Sequence, residues 1–106
     1  MADGIKIRAQ LREDVADIKV LISHPMETGQ LKDSRGNRIP RHFIKNVSAT
    51  LNGKLVLNAQ WSQAIARNPF LGFKIRGARA GDKVAVSWSD NLGETNSIET
   101  TVTPAN

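Results

Sequence analysis

Four side chains in one half of the sequence have metal-ligating chemistry: His24, Met26, Glu27 and His42. Imidazole and thioether groups together suit a soft ion such as copper. No repeated Cys or His spacing supports such a site, and methionine more often fills gaps in a core, so no metal is expected. Nucleophilic catalysis needs a Ser or Thr beside a histidine with an orienting acid. Ser23 and His24 are neighbours in sequence, which on a strand sends their side chains to opposite faces. Ser62, Ser87 and Asp90 read as strand-end and turn residues. Nothing matches Gly-x-x-x-x-Gly-Lys-Ser/Thr or Gly-x-Gly-x-x-Gly, the loops that cradle phosphates. The chain has no cysteine, which removes disulfides, thiolate metal sites, a cysteine nucleophile and a covalent sulfur carrier from this polypeptide. The expectation is a protein without catalytic residues or cofactor.

Charge points to partners instead. Fifteen basic and ten acidic residues give a formal net charge of +5, a balance that favours anionic partners. Lys32, Arg35, Arg38, Arg41 and Lys45 cluster around one Gly- and Pro-containing stretch, Lys6, Arg8 and Arg12 share one strand face, and Lys74 and Arg76 share another. A nucleic-acid groove would add exposed stacking aromatics. Aromatics are only 5% here and Trp61, Phe73 and Trp88 fall in phase with aliphatic residues, so they read as core. A solvated basic face is the better reading, and nucleic acid is not an expected partner.

The elements that must carry these residues are strands. Period-two alternation runs through Ile5–Leu11, Ile18–Ile22, Phe43–Leu51, Leu55–Trp61, Leu71–Ile75, Val84–Trp88 and Ile98–Val102, with Gly, Asp and Asn at the joins. Seven short strands with regular turns predict an all-β, immunoglobulin-like sandwich of antiparallel strands, or a small barrel. The 106 residues fit one domain, 1–106. Residues 61–67 leave room for one helical turn before Asn68-Pro69. At Asn52-Gly53, a two-residue type I′ turn pairs Ala49 with Val56 and sets the two apolar faces against each other. A three-residue loop pairs Ala49 with Leu55, Val47 with Leu57 and Phe43 with Trp61, so burial predicts the longer loop. His24–Arg41 has no strand pattern, and such long stretches usually carry function. No apolar run reaches the ~20 residues that span a bilayer. The start Met1-Ala2-Asp3-Gly4 lacks a basic and apolar leader, which by itself predicts the cytoplasm.

A series of short motifs carries a family resemblance. The strand end Leu21-Ile22-Ser23-His24-Pro25-Met26-Glu27-Thr28-Gly29 leads into Gln30-Leu31-Lys32-Asp33, Gly36 and Ile39-Pro40-Arg41-His42-Phe43-Ile44. Leu51-Asn52-Gly53, Asn68-Pro69-Phe70-Leu71-Gly72-Phe73 and Trp88-Ser89-Asp90-Asn91-Leu92-Gly93 follow in order. Across about residues 5 to 103 this resembles the SoxZ family; Gln60-Trp61-Ser62-Gln63 departs from it. The resemblance implies an immunoglobulin-like fold and a non-catalytic subunit of the SoxYZ carrier complex of thiosulfate oxidation. In that complex a SoxY subunit bears the sulfur intermediate on a cysteine of its glycine-rich C-terminal arm. It also implies a heterodimer or higher SoxYZ assembly, transient contact with other Sox enzymes, no membrane insertion, and a periplasmic location reached by export with a signal-bearing SoxY. Given that implied role, the candidate partner-contact residues are His24, Met26, Glu27, Arg35, Arg38, Ile39, Arg41, Phe43, Phe70 and Leu71, of which Met26, Ile39, Phe43, Phe70 and Leu71 read equally well as core. Two readings of His24–Glu27 stand side by side: shaping the loop, and touching the partner. Two also stand for the basic loop, attracting sulfur oxyanions or docking acidic surfaces of the enzymes.

Overall fold

Alternating apolar residues need a shared interior, and the chain provides one between two sheets. The computed structural model describes residues 4–62 and 65–105. The strands are β1 (Ile5–Arg12), β2 (Val15–Ile22), β3 (Ile44–Leu51), β4 (Lys54–Gln60), β5 (Phe70–Arg76), β6 (Lys83–Asp90), β7 (Thr95–Thr101) and a two-residue β8 (Thr103–Pro104). One sheet has the order β5-β2-β1-β8, the other β4-β3-β6-β7. All pairings are antiparallel except β1 with β8. This is the predicted all-β sandwich. The eighth strand is an addition: after Val102, buried between the sheets, the chain crosses over and lays Thr103–Pro104 along the β1 edge.

Most inward positions of the strands are apolar. Ile5, Ala9, Ile18, Val20, Ile22 and Ile75 from the first sheet meet Ile44, Val47, Ala49, Val84, Val86 and Trp88 from the second. Each fully buried Ile or Val stabilises the fold by roughly 1.5–3 kcal/mol relative to exposure. The β3–β4 turn differs from the expectation. Leu51 pairs with Lys54, so Asn52-Gly53 is a two-residue turn, with φ of 51° and 86° as type I′ demands. The phase conflict is resolved one step later. The ladder passes from Thr50↔Leu55 to Ala49↔Leu57, leaving Val56 as the extra residue of a β-bulge. Local turn chemistry therefore sets the loop, and the bulge restores the apolar face.

No α-helix forms among the described residues; Gln63 and Ala64, inside the 61–67 stretch, lie outside them. The molecule measures 53 × 25 × 23 Å. Eight-residue strands span only about 27 Å, so loops at the two ends supply the remaining length. One end gathers the exit of β2, the entry to β3, the entry to β5 and the β6–β7 turn, with the 24–43 excursion among them.

Candidate functional site

At that end, three polar side chains that the sequence keeps far apart converge. His24 lies two residues beyond β2, on the inward phase of Ile18, Val20 and Ile22. Asp90 closes β6 on the inward phase of Val84, Val86 and Trp88. His42 precedes β3. Both imidazoles direct Nε2 at the same carboxylate oxygen, Asp90 Oδ2, at 3.1 Å from His24 and 2.7 Å from His42. The other oxygen, Oδ1, accepts the backbone N–H groups of Leu92 at 3.0 Å and Glu94 at 2.8 Å. Asp90 is 1% exposed and His24 4%. A charge this deep is tolerated only when fully hydrogen-bonded, and Asp90 is. Burial alone would raise its carboxyl, but the bonds from His24, the Glu94 amide, His42 and the Leu92 amide outweigh it and hold the group below the ordinary aspartate range.

The neighbouring backbone fixes how each ring is used. Met26 adopts a left-handed φ of 48°, a conformation that costs an L-residue energy and marks a determined geometry. The twist returns the Met26 N–H to His24 Nδ1 at 3.1 Å. The His24 proton therefore sits on Nε2, where it donates to Asp90. The Met26 side chain is buried in the core, where Sδ accepts the Ile44 N–H at 3.4 Å. The main chain of His24 exchanges two bonds with Asn68, N–H to Oδ1 and O from N–H, both at 3.0 Å. Asn91 does the same service for the next strand. It accepts the Phe43 N–H at Oδ1 at 2.8 Å and donates from Nδ2 to the Arg41 carbonyl at 2.9 Å. The Trp88 ring stands edge-on to His24 at 5.1 Å, and the two imidazoles are likewise edge-to-face at 4.5 Å.

Two histidines and a carboxylate are also a common metal set, and these three ligand atoms lie within 4.8 Å of one another. The hydrogen bonding does not fit that use. With Nδ1 accepting a backbone N–H, His24 Nε2 carries a proton and has no lone pair to offer a cation. Met26 and Glu27, the other residues with ligand chemistry in the sequence, point elsewhere: Met26 into the core, Glu27 towards Arg67 at 3.8 Å. The cluster is a clasp. One carboxylate ties the β2 exit, the β3 entry and the β6–β7 turn together.

The 24–43 excursion held by this clasp has its own order. Glu27 and His42 form an antiparallel bridge, and Lys32 and Arg38 a second. Asp33 closes the tip, its Oδ1 accepting the N–H groups of Arg35 at 2.9 Å and Asn37 at 3.0 Å. Gly29, at φ 85°, lets the Arg41 side chain cross it; a Cβ there would sit 2.5 Å from Arg41 Cγ. Arg35, Arg38 and Arg41 are exposed, Ile39, Phe43 and Glu27 intermediate. Leu71 faces the core half-buried, and Phe70 turns outward on the first sheet, 62% exposed. His24 and Met26 present no surface of their own, so any contact of theirs with a partner is indirect.

Asp90 was the residue easiest to miss in the sequence. Its neighbours Asn91 and Gly93 suggest a turn, yet its parity with Val84, Val86 and Trp88 places it inside, where a carboxylate requires donors. His24 carries the same signal on β2.

Comparison with known proteins adds three findings. Among solved structures, the chain resembles a superoxide reductase (neelaredoxin) from Archaeoglobus fulgidus, a point mutant in the reduced form. The TM-score is 0.62 at 16% identity, over 93% of this chain and 88% of that one, which is a likeness of fold. No curated protein sequence matches significantly. The family described as sulphur oxidation protein SoxZ matches residues 5–101.

Proposed function

The chain belongs to the SoxZ family and so to the sulfur-oxidizing Sox system, and on that premise we propose that it is the non-catalytic subunit of a SoxYZ carrier. The match over residues 5–101 is the observation that carries the reading. In it, a SoxY subunit supplies the thiol that bears the sulfur intermediate, and this chain supplies the rigid base from which the arm reaches the enzymes. The composition agrees with that division, since no cysteine is available here to hold sulfur. The polar cluster agrees too. A nucleophile or general base must have a lone pair to spend on substrate, whereas His24 has both nitrogens engaged and Asp90 accepts four hydrogen bonds.

The excursion is the part best suited to meet SoxY. Arg35, Arg38 and Arg41 are exposed on it, Ile39 and Phe43 flank them half-buried, and the clasp beneath holds its base in one conformation. His24, Met26 and Glu27 shape this surface from inside. A preorganised surface binds more tightly because less freedom is lost on association. The complex works in the periplasm, exported with a signal-bearing SoxY, and meets other Sox enzymes transiently. Co-expression with a SoxY subunit tests the proposal. The expected outcome is co-purification as a stable complex that survives gel filtration, with sulfur adducts found by mass spectrometry on the SoxY cysteine alone. Failure to co-purify, or thiosulfate turnover by this chain in isolation, would overturn it.

A further inference from the structure

The excess charge of the chain is concentrated on one surface. On the outward side of the first sheet, the register forms four rows across β1, β2 and β5: Arg12–Val15–Arg76, Gln10–Asp17–Lys74, Arg8–Lys19–Gly72 and Lys6–Leu21–Phe70. These rows hold six exposed cations, Lys6, Arg8, Arg12, Lys19, Lys74 and Arg76, against one acid, Asp17. The face is thus five charges positive, as much as the formal net charge of the whole chain; the other nine basic and nine acidic residues cancel. Among the described residues none of the six enters an ion pair. Arg8 stands directly opposite Lys19, and like charges so placed destabilise a sheet. Folding alone would not select this face.

Its layout indicates what it meets. Four rows on three strands make a plane about 20 Å long and 10 Å wide, too extended for one small anion. The end formed by Lys6, Leu21 and Phe70 is apolar within a basic surround. Leu21 and Phe70 are 45% and 62% exposed, and the Phe70 ring lies over Gly72, 3.3 Å from where a Cβ would stand. An aromatic anchor in a polar rim is the common pattern of protein interfaces. At the other end, Arg12, Lys74 and Arg76 line a cleft of about 440 Å³ floored by Val15 and Asp17, where guanidinium groups can grip a carboxylate in bidentate fashion. Glu13 and Asp14 sit in the turn just beyond Arg12, so the acid-free half is the Phe70 end. A single-stranded nucleic acid would call for a series of stacking rings, and Phe70 is the only aromatic in these rows.

We infer that the outward face of the β5-β2-β1 sheet docks an acidic protein surface, separately from the 24–43 excursion. The encounter is transient and charge-steered. Permanent interfaces are larger and more apolar, while complementary charge chiefly raises the association rate. The inference stands on the charge distribution and does not depend on the carrier reading. The test is an NMR titration of the full chain with poly-L-glutamate of about twenty residues, at about 50 and 300 mM salt, beside an oligothymidine of equal charge. The expected shifts map to outward positions of β1, β2 and β5 and fade at high salt. Combining Arg8→Glu, Lys19→Glu and Lys74→Glu weakens binding at least about tenfold, and the three corresponding Gln substitutions, which preserve folding more safely, weaken it several-fold. Arg35→Glu with Arg38→Glu changes it less than about twofold. The inference is overturned by no binding at low salt, by shifts centred on residues 30–41, by equal loss in the loop variant, or by oligothymidine binding the face about tenfold more tightly.

Discussion

Replacing Asp90 by asparagine removes one charge and almost no volume, so it isolates what the carboxylate does. The carboxylate accepts four donors. An amide keeps one accepting oxygen and turns an NH₂ group at the remaining two. If the oxygen stays with the Leu92 and Glu94 amides, both imidazoles face a donor. The His42 side chain, 22% exposed, can turn to water. His24, at 3% side-chain exposure, cannot, and changing tautomer would break its bond from the Met26 amide. The loss is therefore the two imidazole bonds to the carboxylate, that of His42 largely replaced by water, plus one buried donor without a partner, about 3–4 kcal/mol together. With an unfolding entropy near ~0.22 kcal/mol/K for a chain of this length, Asp90→Asn lowers the melting temperature by about 13–18 °C at neutral pH. The pH dependence follows from the depressed Asp90 carboxyl. Its contribution is complete above the unfolded aspartate value of about 3.9 and is lost as pH falls through the lower folded value. Wild type should lose stability along that acid limb, and Asp90→Asn should show a flatter one. Calorimetry of both proteins from neutral pH into acid reads both effects. A drop below about 4 °C at neutral pH, or parallel acid limbs, would refute the clasp.

Two smaller perturbations probe the local geometry. Deleting Val56 takes out the extra residue of the β3–β4 bulge and leaves Ala49 opposite Leu57 in a regular ladder, so the variant should fold with a melting temperature within about 5 °C of wild type; loss of the cooperative transition would show the bulge to be misassigned. Gly29→Ala forces an L-residue to φ 85° and sets its Cβ against Arg41, and should cost about 1–2 kcal/mol by urea unfolding, whereas an unchanged midpoint would mean the Arg41 crossing is absent in solution.

The sheets were legible in the sequence because alternation with a buried face is a strong signal. Ile18, Val20 and Ile22, or Val84, Val86 and Trp88, have only one sensible orientation. The β3–β4 hairpin was legible in its apolar faces but in neither its turn nor its pairs, since Ala49 meets Leu57 rather than Leu55 and Val47 meets Ala59 rather than Leu57. Asn52-Gly53 and the burial pattern demanded different registers, and a bulge reconciles them at a place that neither signal specifies. The last two-residue strand was not legible, since Thr103–Pro104 has no pattern and is placed by the crossover at Val102. The site was half visible. His24 and His42 carry recognisable chemistry, but their meeting point depends on Asp90, 66 and 48 residues away, and long-range pairing leaves no local trace. The basic face was visible strand by strand as Lys6-Arg8-Arg12 and Lys74-Arg76. Lys19 between them joins the set only once the strand order is known.

Asp90 also governs residues remote from it in the chain. The shape of the 24–43 excursion is held by a group belonging to the β6–β7 turn, so the two segments cannot drift independently over evolutionary time. A lengthened or re-shaped 90–94 turn would displace the shared acceptor and release the excursion, even with every residue of the excursion intact. Transplanting the excursion alone onto another sandwich would accordingly transfer its sequence without its shape, unless the short hairpin turn travelled with it.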